Sequence, residues 1–149
     1  MLRLIVKDVT KLQEKCTSIF KSNPILKDII KDLKDSAKHY SETEKDGCAG
    51  LAANQIGYSH RVIIASLKRA KNKRAWIVMV NPTIIKKSKE THVSIEGCLS
   101  LDGRREVLRH DSILVLYIDE NGKAKKETFV GFEACVIQHE IDHLDGKLI

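Results

Sequence analysis

The segment Gln138-His139-Glu140-Ile141-Asp142-His143 sets two imidazoles four residues apart, with a carboxylate next to the first. Residues four apart on a helix share a face, so His139 and His143 can offer two ring nitrogens to one metal ion. Glu140 then stands where it can take a proton from water held by that ion. Taken alone, the same segment is also what two surface histidines on a helix look like. A hydrolytic centre needs a third protein ligand and one open position. Only six residues follow His143, and Asp145 lies too near along the same helix end. The third ligand must therefore come from upstream and be a Cys, His, Asp or Glu.

The best upstream candidate is Cys98, in Glu96-Gly97-Cys98-Leu99-Ser100, where Gly97 lets the backbone approach a neighbour closely. The plainer alternative for any free cysteine is a buried structural thiol. Cys16, on an apolar face, and Cys135, among apolar neighbours ahead of the histidines, fit that alternative. A third segment, Gly47 to Gly57, consists of small residues around one amide, Gln55. It reads either as a tightly packed turn and strand or as backbone laid against a ligand, with Gln55 as a donor.

These side chains need elements to hold them. Leu12, Cys16, Ile19 and Phe20 fall on one face of a first predicted helix. Asn23 and Pro24 open a second, whose stripe is Leu26, Ile29, Ile30, Leu33, Ala37 and Tyr40. The polar stretch Ser41 to Asp46 ends it. Arg61–Leu67 and Ala75–Val80 read as strands joined by the basic loop Lys68–Arg74, a hairpin tip, with Pro82 ending the second strand. Further strands are expected at Ile84–Lys87, His92–Ile95, Glu106–Leu108, Ser112–Ile118 and Lys123–Val130. The last two flank the turn Asp119-Glu120-Asn121-Gly122. Gly131 opens a helix running to Leu144, and Gly146 stops it. The expectation is an α+β fold with N-terminal helices, small mostly antiparallel sheets and a C-terminal metal-binding helix.

Composition narrows the class. A chain of 149 residues with 42% hydrophobic residues suits one domain with its own core. With 26 Lys+Arg against 20 Asp+Glu, the net charge is +6 and the pI about 9.1. That favours anionic partners in general. The charge is scattered and aromatics are only 5%, so sequence-specific nucleic-acid binding by base stacking is not expected. The longest early apolar run, Leu4-Ile5-Val6, is too short for a signal core, and no stretch approaches the ~20 residues of a membrane span. Four cysteines without a CxxC pair, in a chain expected to be cytoplasmic, read as reduced thiols acting singly.

Gly50-Leu51-Ala52-Ala53-Asn54-Gln55, then Glu96-Gly97-Cys98-Leu99-Ser100, then Gln138-His139-Glu140-Ile141-Asp142-His143-Leu144 resemble the three ordered motifs of peptide deformylases. The likeness covers about residues 47–148; the N-terminal helices match in kind only. The resemblance implies one catalytic domain over residues 1–149 that removes the formyl group from formyl-methionyl nascent peptides, with a transient ribosome contact. It implies a metal held by Cys98, His139 and His143, Fe(II) in the cell with Zn or Ni as substitutes. Glu140 would be general base on the metal-bound water and then pass the proton to the departing amine. Gln55 and the Leu99 backbone N–H would join the metal in holding the oxyanion. Gly50, Ala49 and Cys48 would line the substrate pocket, and Arg104 would face the peptide. Glu96 and Arg109 read as a structural ion pair nearby.

Some positions depart from the family pattern. Cys48 stands where glycine is usual, and Ala49 where a larger aliphatic residue is common. Leu101-Asp102-Gly103 lacks the usual proline after Ser100 and is one residue short. Familiar bacterial members continue past the position of Ile149, some into a helix that docks on the ribosome, so the chain resembles the short forms. These departures motivate an alternative, a divergent metal-binding relative with weak or altered activity. A different metalloprotease class fits poorly with the late HExxH segment and the Gln55 loop, and an RNA-binding module fits poorly with the scattered charge.

Overall fold

The computed structural model describes residues 1–149. The elements run α1 (Val9–Leu12), α2 (Ile25–Thr43), β1 (Gly50–Ala52), a 3-10 turn (Ala53–Ile56), β2 (Val62–Lys68), β3 (Arg74–Lys87), β4 (Thr91–Cys98), β5 (Leu101–His110), β6 (Ser112–Ile118), β7 (Ala124–Val130) and α3 (Gly131–Leu144). Five strands form an antiparallel sheet in the order β1-β2-β3-β6-β7, while β4 and β5 pair as a separate arm. The α+β expectation matches this architecture.

The sheet lies between two helices, and β2 explains how. Its residues alternate between the faces, so Ile63, Ala65 and Leu67 pack with Ala134, Ile137, Ile141 and Leu144 of α3. Val62 and Ile64 pack on the other side with Leu26, Ile29, Leu33 and Ala37 of α2. A strand covered on both faces reads as a continuous apolar run, as Val62-Ile63-Ile64-Ala65 does here. Helix α2 starts where Asn23 Oδ1 accepts the Ile25 N–H at 3.1 Å. Its buried stripe also carries Asp32, which accepts hydrogen bonds from Arg3 Nε, the Tyr58 hydroxyl and the Met1 amino group, each at 2.7 Å. Those donors hold the Asp32 carboxyl at about 2 despite its burial.

Two expectations are corrected. The first predicted helix is only one turn, capped by Asp8, whose Oδ1 accepts from the Thr10 and Lys11 N–H groups. Cys16 and Ile19 are buried as their spacing implied, but the segment is extended and Phe20 is exposed. Its backbone is claimed from a distance: Cys16 N–H donates to Leu144 O at 2.8 Å, and Thr17 N–H to Ser59 O at 3.0 Å. A short helix of its own cannot outcompete such partners. Pro82, in turn, does not end a strand. It sits at a register shift within β3, beside Asn81 at φ 50°, and the segment expected as a separate strand is the far half of β3. Asn81 earns its odd backbone by bonding both the N–H and the carbonyl of Ile19.

Gly146 follows α3 at φ +72°, and a Cβ there would lie 2.2 Å from Gln13 O. Gly146→Ala should therefore cost about 2–4 kcal/mol, left-handed strain plus overpacking. Gly122→Ala, also at positive φ but with nothing nearer than 3.7 Å, should cost about 1–2 kcal/mol, the strain alone. Urea melts of the two variants compare them directly; equal losses would refute the contact argument.

Candidate metal centre and cleft

Helix α3 is buried over most of its circumference, and its one polar cluster is the HExxH segment. The i, i+4 spacing brings His139 and His143 together, with their Nε2 atoms 3.2 Å apart. Cys98, at the end of β4, places Sγ 3.3 Å from His143 Nε2. All three donor atoms lie within 4.8 Å of one another. Bonds of roughly 2.0–2.1 Å to nitrogen and 2.3 Å to sulfur around a tetrahedral cation put two nitrogens about 3.3 Å apart and nitrogen and sulfur about 3.6 Å apart. The two spacings to His143 lie close to these values and the third stays within 4.8 Å, so the donor set fits a divalent cation.

The His139 tautomer agrees with that fit. His139 Nδ1 donates to Glu96 Oε1 at 2.9 Å, which leaves the Nε2 lone pair facing the cluster. Burial opposes charge on His139, yet Cys98 and Glu96 outweigh it and draw positive charge to this spot. A metal ion answers the same demand. Burial pushes His143 down to about 3, which keeps its ring neutral and able to coordinate.

Glu96 is itself held in a chain of ionic contacts. Arg109 grips it with two hydrogen bonds, Nε to Oε2 at 2.8 Å and Nη2 to Oε1 at 2.7 Å, and reaches Asp142 Oδ2 with Nη1 at 2.6 Å. Burial would raise the Glu96 pKa, but Arg109 and His139 hold it at about 2. The ion pair expected from sequence is thus present, and it also orients His139, which the sequence analysis did not anticipate.

Around the donors runs a cleft of about 440 Å³. Glu140 lines it with Oε2 buried and without a hydrogen-bond partner in the protein. Burial pushes its carboxyl up to about 7, the range where a carboxylate works best as a base at neutral pH. A Cβ on Gly50 would stand 2.8 Å from Glu140 Oε1, so glycine is what lets β1 run this close to α3. The Gln55 amide is oriented by its partners. Oε1 accepts from Ala52 N–H at 3.1 Å, so the NH₂ group faces Ser100 Oγ at 3.2 Å and Cys98 Sγ at 3.5 Å.

The remaining residues named from sequence fall as follows. Cys48, Ala49 and Leu99 line the cleft, and Arg104 stands exposed at its rim, 3.9 Å from Asp46. The Cys48 thiol, pushed up to about 12 by burial, donates to Gly50 O at 3.1 Å and so turns back onto its own loop. Gly97 does not serve a close approach, because a Cβ there would meet nothing nearer than 3.9 Å. Lys7 was missed: its ammonium bonds Leu99 O at the cleft mouth. Nothing local in the sequence signals it. Ser100, by contrast, adjoins the cysteine motif and could have been paired with Gln55.

The family model for polypeptide deformylase matches residues 1–149. A peptide deformylase of Clostridium beijerinckii is 37% identical over the whole of both chains. One from Rickettsia akari is 34% identical over all of this chain and 85% of its own. Among solved structures, a probable peptide deformylase from Synechococcus phage S-SSM7 superposes with a TM-score of 0.85 at 34% identity, covering 99% of this chain and 97% of that one. A class I type b peptide deformylase from Acinetobacter baumannii, solved with Met-Ala-Ser bound, superposes with a TM-score of 0.84 at 30% identity, covering 99% and 96%. With the whole chain matched in both sequence and fold, it belongs to the peptide deformylase family, metalloenzymes that remove N-formyl groups from nascent peptides.

Proposed function

We propose that residues 1–149 form one catalytic domain that hydrolyses the formyl group of formyl-methionyl peptides with a metal ion held by Cys98, His139 and His143. The observation that carries this reading is the convergence of one sulfur and two ring nitrogens beside a buried carboxylate oxygen that no protein group uses. The metal, Fe(II) in the cell with Zn or Ni able to replace it, supplies Lewis acidity toward water and the formyl oxygen.

The protein's own groups do the rest. Glu140 takes a proton from the attacking water and hands it to the departing amine nitrogen. Gln55 Nε2, fixed through Ala52, donates to the formyl oxygen as negative charge builds there, and the Leu99 N–H is the second donor. Gly50, Ala49 and Cys48 form the wall for the methionyl end. The thiol's bond to Gly50 O turns the sulfur onto its own loop, which supports an active enzyme over a weakened relative. Arg104 at the rim meets the peptide beyond its first residue. The peptide bound to the Acinetobacter relative begins in methionine, the product class this reading requires. The substrates emerge in the cytoplasm, where the basic surface suits a transient ribosome contact.

The test is anaerobic purification, metal analysis and formate release from formyl-Met-Ala-Ser. Wild type should carry about one metal per chain and turn over. Cys98→Ala should lose most of the metal and fall to background, because two imidazoles alone bind weakly. Full metal content with normal turnover in that variant would remove Cys98 from the ligand set.

A further inference from the structure

Cys135 lies one turn before His139 on α3 and shares its face, so its thiol points into the same cleft. It is buried, as its apolar neighbours suggested, yet it also borders the cleft. Its Sγ is 3.2 Å from Nε2 of His92 on β4, and Nδ1 of that ring is 2.6 Å from Asp111 Oδ1, in the turn between β5 and β6. A carboxylate accepts only, so Nδ1 carries the proton and Nε2 is left to accept from the thiol. Nucleophile, base and orienting group thus stand in sequence within hydrogen-bond reach. The other two cysteines outside the metal centre lack this. Cys16 has no imidazole partner, and Cys48 donates to a backbone carbonyl. Burial raises the Cys135 pKa, so an adjacent base is what makes this thiol usable.

We propose that Cys135 is a modification site, a nucleophilic thiol served by His92 and Asp111 that exchanges with small alkyl disulfides to form a mixed disulfide in the cleft. His92 Nε2 takes the thiol proton and Sγ attacks one sulfur of the disulfide. The S–S bond breaks, a new one forms to Cys135, and the expelled thiolate leaves with the proton from His92. No further oxidant is needed. The adduct occupies space beside His139 and Glu140 and blocks peptide entry; this consequence rests on the deformylase reading, whereas the exchange does not.

The experiment treats metal-loaded protein at neutral pH with 2-hydroxyethyl disulfide. Intact mass follows adduct formation, and peptide mapping locates it. The expected result is one adduct, at Cys135, with formation slowed about tenfold or more in His92→Gln and less in Asp111→Asn. Asp111 is half-exposed, so that variant keeps the fold should His92→Gln not. An adduct at Cys48 or Cys98 instead, or equal rates in both variants and wild type, overturns the proposal. Formate release, scaled to each protein's untreated value, should fall in step with the adduct and return with dithiothreitol. A complete adduct with unchanged turnover refutes the blocking and leaves the thiol assigned. A wild type inactive before treatment counts against the deformylase reading, while the mass measurement still decides the thiol.

Discussion

Glu140→Gln is expected to lower formate release by about 10²–10⁴-fold while the metal stays at its wild-type level. The carboxylate is not among the converging donors, so coordination survives its loss. What disappears is the carboxylate proposed to carry a proton from water to the leaving nitrogen. The geometry adds a second expectation with the opposite sign. Glu140 Oε2 is buried without a partner, and such a group costs stability in the folded state. The amide keeps the side chain's shape and carries no charge, so the variant should melt at the same temperature as wild type or higher. An inactive enzyme that is no less stable marks a residue retained for chemistry. Normal turnover, or metal lost along with activity, would show that Glu140 has another role.

The second large effect concerns stability. Arg109→Met should cost about 3–5 kcal/mol, because it strands the buried Glu96 carboxylate rather than merely deleting a favourable pair. His139 also loses the anchor of its Nδ1 partner, so metal affinity should weaken about 10–100-fold. The pH dependence follows from Glu96. Its carboxyl sits at about 2 in the folded protein, below the value near 4.3 of an unfolded chain. A depressed pKa contributes stability above the unfolded value, and that contribution drains away as pH falls through about 4 toward 2. Without Arg109 the same group is raised by burial, so its protonation on acidification relieves the stranded charge, and the stability gap between variant and wild type should narrow from pH 7 to pH 4. Adding Glu96→Gln to Arg109→Met should recover part of the loss, since no charge is then stranded. Urea melts at pH 7 and pH 4 measure all three proteins. A single-variant loss under about 1 kcal/mol would mean that water reaches and solvates Glu96.

The parts legible in the sequence were those whose cause is local. His139 and His143 are spaced by the helix itself, and β2, β6 and α3 follow from runs whose period matches their structure. Cys98 could be singled out because a third donor was required upstream and its segment Glu96-Gly97-Cys98-Leu99-Ser100 resembles the family's cysteine motif. What escaped depends on partners far along the chain. Leu12, Cys16 and Ile19 keep a helical spacing, yet Leu144 and Ser59 claim the backbone between them. Pro82 looks like a terminator until Asn81 is found bonded to Ile19. Lys7 reaches the cleft across a separation of 92 residues, and His92 meets Cys135 across 43. No window of sequence contains both members of such pairs.

The extended segment around Cys16 has a temporal consequence. Cys16 N–H bonds Leu144 O, Gly146 packs on Gln13, and Arg61 clasps Asp145. The early residues are thus fastened to the far end of the helix that carries both histidines. During synthesis they must wait, unlatched, until that helix has left the exit tunnel, and pairings so distant in the chain form slowly. Cys98 likewise cannot meet His139 and His143 before then, so on the proposed ligand set an ion would be captured only after α3 has emerged.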